Sequence, residues 1–184
     1  ELIEKFSIER VHKGGAKFDF EKAKWYNHEW IKKLDVSRFS FLVKEYFNSK
    51  EIFVANDDHF IKVIELVKDR CTLIPDFYTQ ASYFFITPSS WDTDAVKPKW
   101  NEEKAGFFSE FCNKLQEMNN WELEMIEASF KELSAEKNIK FGEVQMILRV
   151  MLVGSKIGPG VFIIAATIGK EETIKRIENA LKIF

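Results

Sequence analysis

Residues 142–154 read GEVQMILRVMLVG, and this stretch decides the fold class. Its apolar residues recur at steps of three and four, which is the spacing of one face of an α-helix. The side chains expected to point into a core are those of Val144, Ile147, Leu148, Met151 and Leu152. Gly154 follows at the position where a residue with a left-handed backbone commonly ends a helix. The stretch therefore predicts a buried helix over residues 142–153.

The same periodicity extends along most of the chain. It predicts further helices over residues 21–33, 57–70, 72–82, 101–118, 121–136 and 170–184. Asp19 and Asn56 stand where N-caps are expected, and Pro75 is expected to break the helix in which it lies. We expect the first of these helices to bury an aromatic face that includes Tyr26 and Trp30. No stretch shows sustained alternation with a period of two, so we predict an all-α fold, with residues 1–20 unassigned.

Two connections interrupt the helical pattern. Residues 155–160 read SKIGPG, and Pro159 suits the first turn of a short helix that Gly169 then ends. Residues 87–90 read TPSS, a combination typical of a loop, and form the best internal boundary.

Composition limits the class of protein. Apolar residues make up 46% and charged residues 30% of the 184 positions, which excludes a disordered or collagen-like chain. The longest apolar run, residues 160–168, is too short to cross a bilayer. The two cysteines, Cys71 and Cys112, argue against a disulfide scaffold and favour a cytoplasmic protein. The chain begins at Glu1 with no secretory leader, so we expect it to be a segment of a longer polypeptide.

Charge is distributed unevenly along the chain although the net charge is only −2. Residues 10–33 hold seven basic and three acidic side chains, and residues 137–176 hold the same numbers. Residues 101–136 hold three lysines against nine glutamates. The two basic segments are suited to a phosphate backbone while the acidic one faces water. Solvated helix faces would produce the same pattern.

Recognisable catalytic and metal-binding motifs are absent from the sequence. His28 and Glu29 begin a zinc-protease helix pattern, but Lys32 stands where its second histidine ligand is needed. His12, His28 and His59 are far apart and have no cysteine pair nearby, so no metal site is predicted. No strand precedes the glycines at 158 and 160 to make a dinucleotide loop. Cys71 has no general base near it in sequence and is interpreted as a packed apolar residue. We predict no catalytic residue.

Three segments, in the same order along the chain, resemble the C-terminal part of bacterial glutamyl-tRNA synthetases. They are FSIERVHKGGAKFD at residues 6–19 with KAKWYN at 22–27, VKDRCTL at 67–73 leading to YFF at 83–85, and IKFGEVQMILR at 139–149 with the Gly158-Pro159-Gly160 turn and GKEE at 169–172. The resemblance implies the end of a stem-contact region over residues 1–34. It implies two helical anticodon-binding subdomains over residues 35–86 and 87–184.

The resemblance also implies a function. The parent would be a class I ligase that attaches glutamate to tRNA(Glu) and uses ATP and Mg²⁺, and its catalytic domain would precede Glu1. The present chain would need no cofactor, would be inactive alone, and would hold the anticodon and inner limb of tRNA(Glu). We expect a cytoplasmic monomer whose partners include neither DNA nor a membrane.

Several residues correspond to anticodon-binding positions of that family. The resemblance assigns this role to Arg70, Gln145, Arg149, Gly158, Pro159, Gly160 and Val161. A guanidinium fork beside an amide is well suited to the edges of unstacked bases, although an exposed surface arginine would look the same in sequence. The basic residues proposed to contact the tRNA backbone are Lys22, Lys24, Lys140 and Lys156.

The most specific prediction concerns Arg70. It ends a predicted helix, where a cation complements the helix dipole, so a structural role is available. In the family, the matching position contacts the third anticodon base, which alone separates glutamate from glutamine anticodons. An arginine there implies an enzyme that rejects glutamine tRNA.

A helical protein-protein interaction module is the alternative function. Exposed aromatic residues such as Trp91 and Trp100 would form its docking patch.

Overall fold

The computed structural model of the chain describes residues 2–10, 14 and 17–184. All regular elements in these ranges are helical, which confirms the all-α prediction. The α-helices are α1 (Leu2–Lys5), α2 (Phe20–Lys33), α3 (Ser40–Asn48), α4 (Asp57–Val67), α5 (Ile74–Ala81), α6 (Thr93–Val96), α7 (Glu102–Glu117), α8 (Leu123–Glu136), α9 (Phe141–Val153), α10 (Val161–Ile168) and α11 (Lys170–Leu181). Short 3₁₀-helices lie at Ile8–Arg10, Val36–Arg38, Lys68–Arg70, Ser82–Phe84 and Lys97–Lys99.

His12 and part of the first resembling segment, residues 11–13 and 15–16, lie outside the described residues. The division at residues 34/35 and 86/87 stays a prediction.

The predicted helix ends are confirmed where a side chain or a glycine determines them locally. The Asp19 carboxylate accepts from the backbone N–H of Lys22 at 3.0 Å, and Asn56 caps α4 in the same way. Gly154 ends α9 with a φ of 84°, a value that favours glycine. These caps satisfy backbone groups that the helix itself leaves unpaired.

Three predicted boundaries were wrong. The helix over 57–70 ends at Val67 and continues as the 3₁₀-helix that carries Arg70. Pro75 lies in the first turn of α5 and does not break it, because a first-turn proline has no intrahelical N–H bond to lose. Pro159 lies before the N-cap Gly160 of α10, outside the helix. The sequence pattern also failed to predict α3.

The expectation that α2 buries an aromatic face is wrong. Tyr26 is 49% exposed and Trp30 is 63% exposed, whereas Ile31 is buried. The 3.6-residue period identifies which residues share a face, but it does not show which face meets the rest of the fold. In the structure α2 packs through the side that carries Asn27, His28 and Ile31.

Aromatic packing joins the helices of the second half. The ring of Phe130 on α8 lies 5.1 and 4.9 Å from the rings of Phe107 and Phe111 on α7, and 5.4 Å from Phe162 on α10. Such ring pairs add about 0.5–1.5 kcal/mol each beyond the burial of their surface. The five inward residues predicted on α9 are all fully buried against this core.

The tryptophans expected to form a docking patch pack against the core. Trp91 is half-buried and its Nε1 donates to the carbonyl of Met151 at 3.1 Å. The Trp100 ring lies 6.1 Å from Phe108 and 5.4 Å from Phe184. Neither is available as the exposed patch that the alternative function requires.

Within the described ranges, none of the helices combines the length and the apolar character needed to cross a membrane.

Candidate functional site

Arg149 binds the glycine-proline turn that follows its own helix. Its Nη1 donates to the carbonyls of Ile157, Gly158 and Pro159, at 3.1 and 3.3 Å for the first two. The side chain is half-buried, and this burial lowers the pKa of Arg149. Arg149 is therefore not the exposed surface arginine that the sequence alone left open. Part of its guanidinium orders the turn, and its remaining donors are not used by the described residues.

The charge of Arg70 acts on Arg149 although the two residues are far apart in sequence. It ends the 3₁₀-helix after α4 and its side chain is exposed. After burial, the charge of Arg70 is a further influence that lowers the pKa of Arg149. Neither guanidinium forms an ion pair with a carboxylate of the part of the chain that the structure describes. The charge of Arg70 therefore acts on Arg149, and no carboxylate of the described residues pairs with either guanidinium.

Tyr83 lies near both of these arginines, and nothing in the sequence pattern pointed to it. It is 4% exposed, and its hydroxyl has no hydrogen-bond partner among the described residues. Burial raises the pKa of Tyr83, while the charges of Arg149 and Arg70 act in the opposite direction. An aromatic run does not mark which of its rings will lie beside two cations, so the sequence offered no signal.

Side chains of α2 bind the backbone of the residues that directly follow Arg70. His28 Nδ1 lies 2.9 Å from the carbonyl oxygen of Cys71, and Asn27 donates from its amide to the carbonyl of Thr72. His28 therefore makes a structural contact between α2 and the segment after α4. Cys71 is fully buried, and burial raises the pKa of its thiol to about 12, as suits a packed apolar residue.

The other residues assigned to anticodon binding lie around Arg149. Gln145 is half-buried on α9, about one turn before Arg149. Pro159 and Val161 are buried, and Gly160 is exposed as the N-cap of α10. Val161 is fully buried, so neither its side chain nor its backbone is open to a ligand in this structure. The RNA-binding role of all these residues stays a prediction.

The four lysines assigned to the tRNA backbone are exposed and do not form one cluster in sequence or in their contacts. Lys24 pairs with Glu21 at 2.9 Å, and Lys22 Nζ lies 6.0 Å from the centre of the Tyr26 ring. Lys140 directly precedes α9. Lys156 lies in the connection that leads to the turn held by Arg149.

Residues that could hold a metal ion are not grouped anywhere in the described ranges, where no three His, Cys, Asp or Glu side chains converge.

Comparison with known proteins gives a consistent set of relatives. Residues 21–181 match the protein family described as "Anticodon binding domain". The chain is 38% identical over 181 residues to the glutamate–tRNA ligase of Christiangramia forsetii, covering 98% of this chain and 36% of that protein. It is 36% identical over 183 residues to that of Porphyromonas gingivalis, covering 100% and 36%.

Solved structures show the same likeness. A crystal structure of a glutamate tRNA ligase from Elizabethkingia meningosepticum superimposes with a TM-score of 0.88 and 34% identity, over 98% of this chain and 36% of that chain. The glutamate-tRNA synthetase from Elizabethkingia anophelis gives a TM-score of 0.84 and 33% identity, over 99% and 35%. The chain thus spans about a third of the length of the relatives it matches.

Proposed function

The chain belongs to the anticodon binding domain family, and we propose that it recognises the anticodon and inner limb of tRNA(Glu) as the C-terminal part of a glutamyl-tRNA synthetase. The relatives named above are ligases of this type, and the likeness to them extends over nearly the whole of this chain.

The uncompensated pair of arginines carries this proposal. Arg70 and Arg149 come from different parts of the chain; the charge of Arg70 lowers the pKa of Arg149, and both charges lower that of Tyr83 against the effect of its burial. Two positive charges that act on one another and pair with no carboxylate of the described residues repel, so an anionic partner lowers the energy of the site. Their planar donors suit phosphate oxygens and the acceptors of exposed bases, which is how proteins read single-stranded RNA loops.

We assign the chemistry to the rest of the parent protein. The parent would attach glutamate to tRNA(Glu) with ATP and Mg²⁺ in a part that this chain does not include. The 184-residue chain would be a cytoplasmic monomer that contributes binding and not catalysis. Glutamate-dependent pyrophosphate exchange by this chain alone would overturn that assignment.

Binding to a synthetic anticodon stem-loop tests the proposal directly. Fluorescence anisotropy should show tighter binding of the stem-loop with a glutamate anticodon than of the same stem with a scrambled anticodon. Both should weaken as salt rises, because phosphate contacts release counterions. Equal binding of the two RNAs at all salt concentrations would overturn anticodon recognition.

The protein-interaction alternative finds less support. Trp91 and Trp100, which would have carried it, are used in packing against the core. Capture of a protein by the chain after ribonuclease treatment, together with no affinity for the stem-loop, would favour it over the RNA-binding proposal.

A further inference from the structure

Arg176 on α11 joins two distant parts of the fold from a buried position. It is only 1% exposed. Its Nη1 donates to the carbonyls of Tyr83 and Leu152, at 2.7 Å each, and its Nη2 donates to the carbonyl of Ile86 at 3.2 Å. Tyr83 and Ile86 belong to the segment after α5, whereas Leu152 belongs to the end of α9. One guanidinium therefore connects three elements.

A carboxylate keeps this guanidinium paired. Arg176 Nε donates to Glu172 Oε1 at 2.7 Å, and the Thr87 hydroxyl donates to the same oxygen. Burial lowers the pKa of Arg176, and the hydrogen bond with Glu172 opposes this effect. Partial burial would raise the pKa of Glu172, but the hydrogen bonds from Thr87 and Arg176 hold it below its usual value. Arg176 and Glu172 therefore form a hydrogen-bonded ion pair.

The elements that Arg176 connects are those that present the candidate site. Tyr83 gives its carbonyl to Arg176, and its ring lies within the electrostatic influence of Arg70 and Arg149. Leu152 lies about one helical turn after Arg149 on α9. We propose that Arg176 is a positioning residue for RNA recognition, an inference that rests on the proposed function. It fixes α9 against the Tyr83 segment so that Arg70 and Arg149 meet one RNA together.

Contacts that do not involve Arg176 also attach the end of α9 to the chain around residues 91–92. The role proposed for Arg176 is therefore to set the orientation of α9, not merely to keep it attached. Trp91 Nε1 donates to the carbonyl of Met151, and the Asp92 N–H donates to the carbonyl of Gly154 at 2.8 Å. The end of α9 is thus attached to the loop at residues 91–92 independently of Arg176. The guanidinium adds a rigid, planar set of donors whose directions fix an orientation. Buried ion pairs contribute little net stability on average, so orientation is the larger expected effect.

The test compares Arg176→Lys with a matched change on the same helix. Lysine keeps the charge but cannot reach all four acceptors. The control is Thr173→Val, because Thr173 is 1% exposed and its hydroxyl bonds to the carbonyls of Ala165 and Gly169, neither of which is a candidate site residue. Each variant is combined with Arg149→Lys. Affinity for the glutamate anticodon stem-loop is measured well below each melting temperature.

Arg176→Lys and Thr173→Val should differ in how strongly each changes the effect of Arg149→Lys on RNA affinity. In the wild-type and Thr173→Val backgrounds we expect Arg149→Lys to weaken binding about tenfold, and in the Arg176→Lys background less than about threefold. The reason is that Arg149, once displaced by the Arg176→Lys change, contributes less binding energy, so replacing it weakens binding less. We expect both single variants to lower the melting temperature, so stability alone does not separate them. An equal factor in all three backgrounds would make Arg176 a purely structural residue and overturn the proposal.

A milder variant covers the case in which Arg176→Lys does not fold. Thr87→Val removes one donor to Glu172 and should give coupling of the same sign but smaller size; no coupling in that variant would also contradict the proposal. A wild-type chain that does not bind the stem-loop would overturn the proposed function together with this inference. If the chain binds the stem-loop but the effects of Arg176→Lys and Arg149→Lys on affinity are additive, only the positioning role is contradicted and the proposed function stands.

Discussion

The hydroxyl of Tyr83 lies directly against the backbone of Gly158. A Cβ added at Gly158 would stand 2.4 Å from the Tyr83 hydroxyl oxygen and 3.1 Å from its Cζ atom. Gly158 also has a φ of 100°, a conformation that other residues rarely adopt. Because Arg149 binds the carbonyl of the same residue, any shift at Gly158 reaches the candidate site.

Gly158→Ala should therefore destabilise the chain. We expect the free energy of unfolding to fall by about 2 kcal/mol or more, from overpacking against Tyr83 together with backbone strain. Urea denaturation gives the measurement. The control is Gly106→Ala in α7, where an added Cβ meets nothing within 4 Å and should stabilise by up to about 1 kcal/mol. Similar effects at the two glycines would contradict the close contact.

Two buried thiols predict how stability depends on pH. Burial raises the pKa of Cys71 and that of Cys112 to about 12 each, from an ordinary value of 9.0. Above about pH 9 the unfolded chain loses these protons while the folded chain keeps them, so unfolding becomes more favourable as pH rises towards 12. Each thiol contributes a fall of at most about 1.4 kcal/mol per pH unit.

The measurement is the free energy of unfolding at several pH values from 8 to 11, for the parent and for Cys71→Ala/Cys112→Ala. The double variant loses some packing at every pH, but its decline with pH should be shallower. Parallel curves would mean that the thiols titrate alike in the folded and unfolded states.

The basic face of α2 predicts a change in salt dependence. Replacing Lys22 and Lys24 by glutamine should make the slope of log affinity against log salt less steep, by about 0.7–0.9 for each phosphate that a lysine no longer neutralises. Lys24 already pairs with Glu21, so Lys22 is expected to contribute more. The matched control is Lys114→Gln/Lys131→Gln in the acidic segment. If the slope does not change relative to this control, that face of α2 lies away from the RNA.

Arg149→Ala should weaken binding of the glutamate anticodon stem-loop by about 1–3 kcal/mol if Arg149 makes a hydrogen bond to a base edge. Lys131→Ala, which removes an exposed charge paired with Glu127, should have little effect. The Arg149 side chain also holds the turn at residues 157–159, so affinities are compared only at temperatures where both variants are folded. Equal losses for the two variants would mean that Arg149 contributes only its charge to RNA binding and makes no specific contact with a base.

The elements that could be predicted from the sequence are those determined within a few residues. Asp19 and Asn56 cap helices by binding N–H groups one turn ahead, and Gly154 ends α9 through its own backbone, so short spacings were enough. The prediction of which face of α2 is buried was wrong because α2 packs against Cys71 and Thr72, which lie far away along the chain. Periodicity carries no information about such distant contacts.

The candidate site divides in the same way. Arg70 and Arg149 followed from motifs in the resembling segments, but the influence of one charge on the other depends on tertiary contacts between distant parts of the chain. Tyr83 looked like one of several core aromatics. Arg176 looked like one charge on a solvated helix, because a sequence does not show which arginine lies opposite unpaired carbonyls.

Arg70 offers the sharpest test of specificity. It is exposed and makes no ion pair with a carboxylate of the described residues, so its donors are available to an RNA base. The glutamate and glutamine anticodons differ at the third base, C in one and G in the other. A guanidinium offers donors alone, which suit the acceptors of one base edge and oppose the donors of another.

Arg70→Gln should therefore reduce discrimination between the two anticodons. The glutamine amide carries both a donor and an acceptor and can rotate, so it tolerates either base but loses the stronger hydrogen bond of an ion. We expect a smaller ratio of affinities, through weaker binding of the glutamate stem-loop, tighter binding of the glutamine stem-loop, or both. The ratio is measured with both stem-loops for the parent and the variant, and again by aminoacylation in the full-length enzyme. If both affinities fall together and the ratio is unchanged, Arg70 contacts a phosphate or stabilises the helix end, and it does not read the third base.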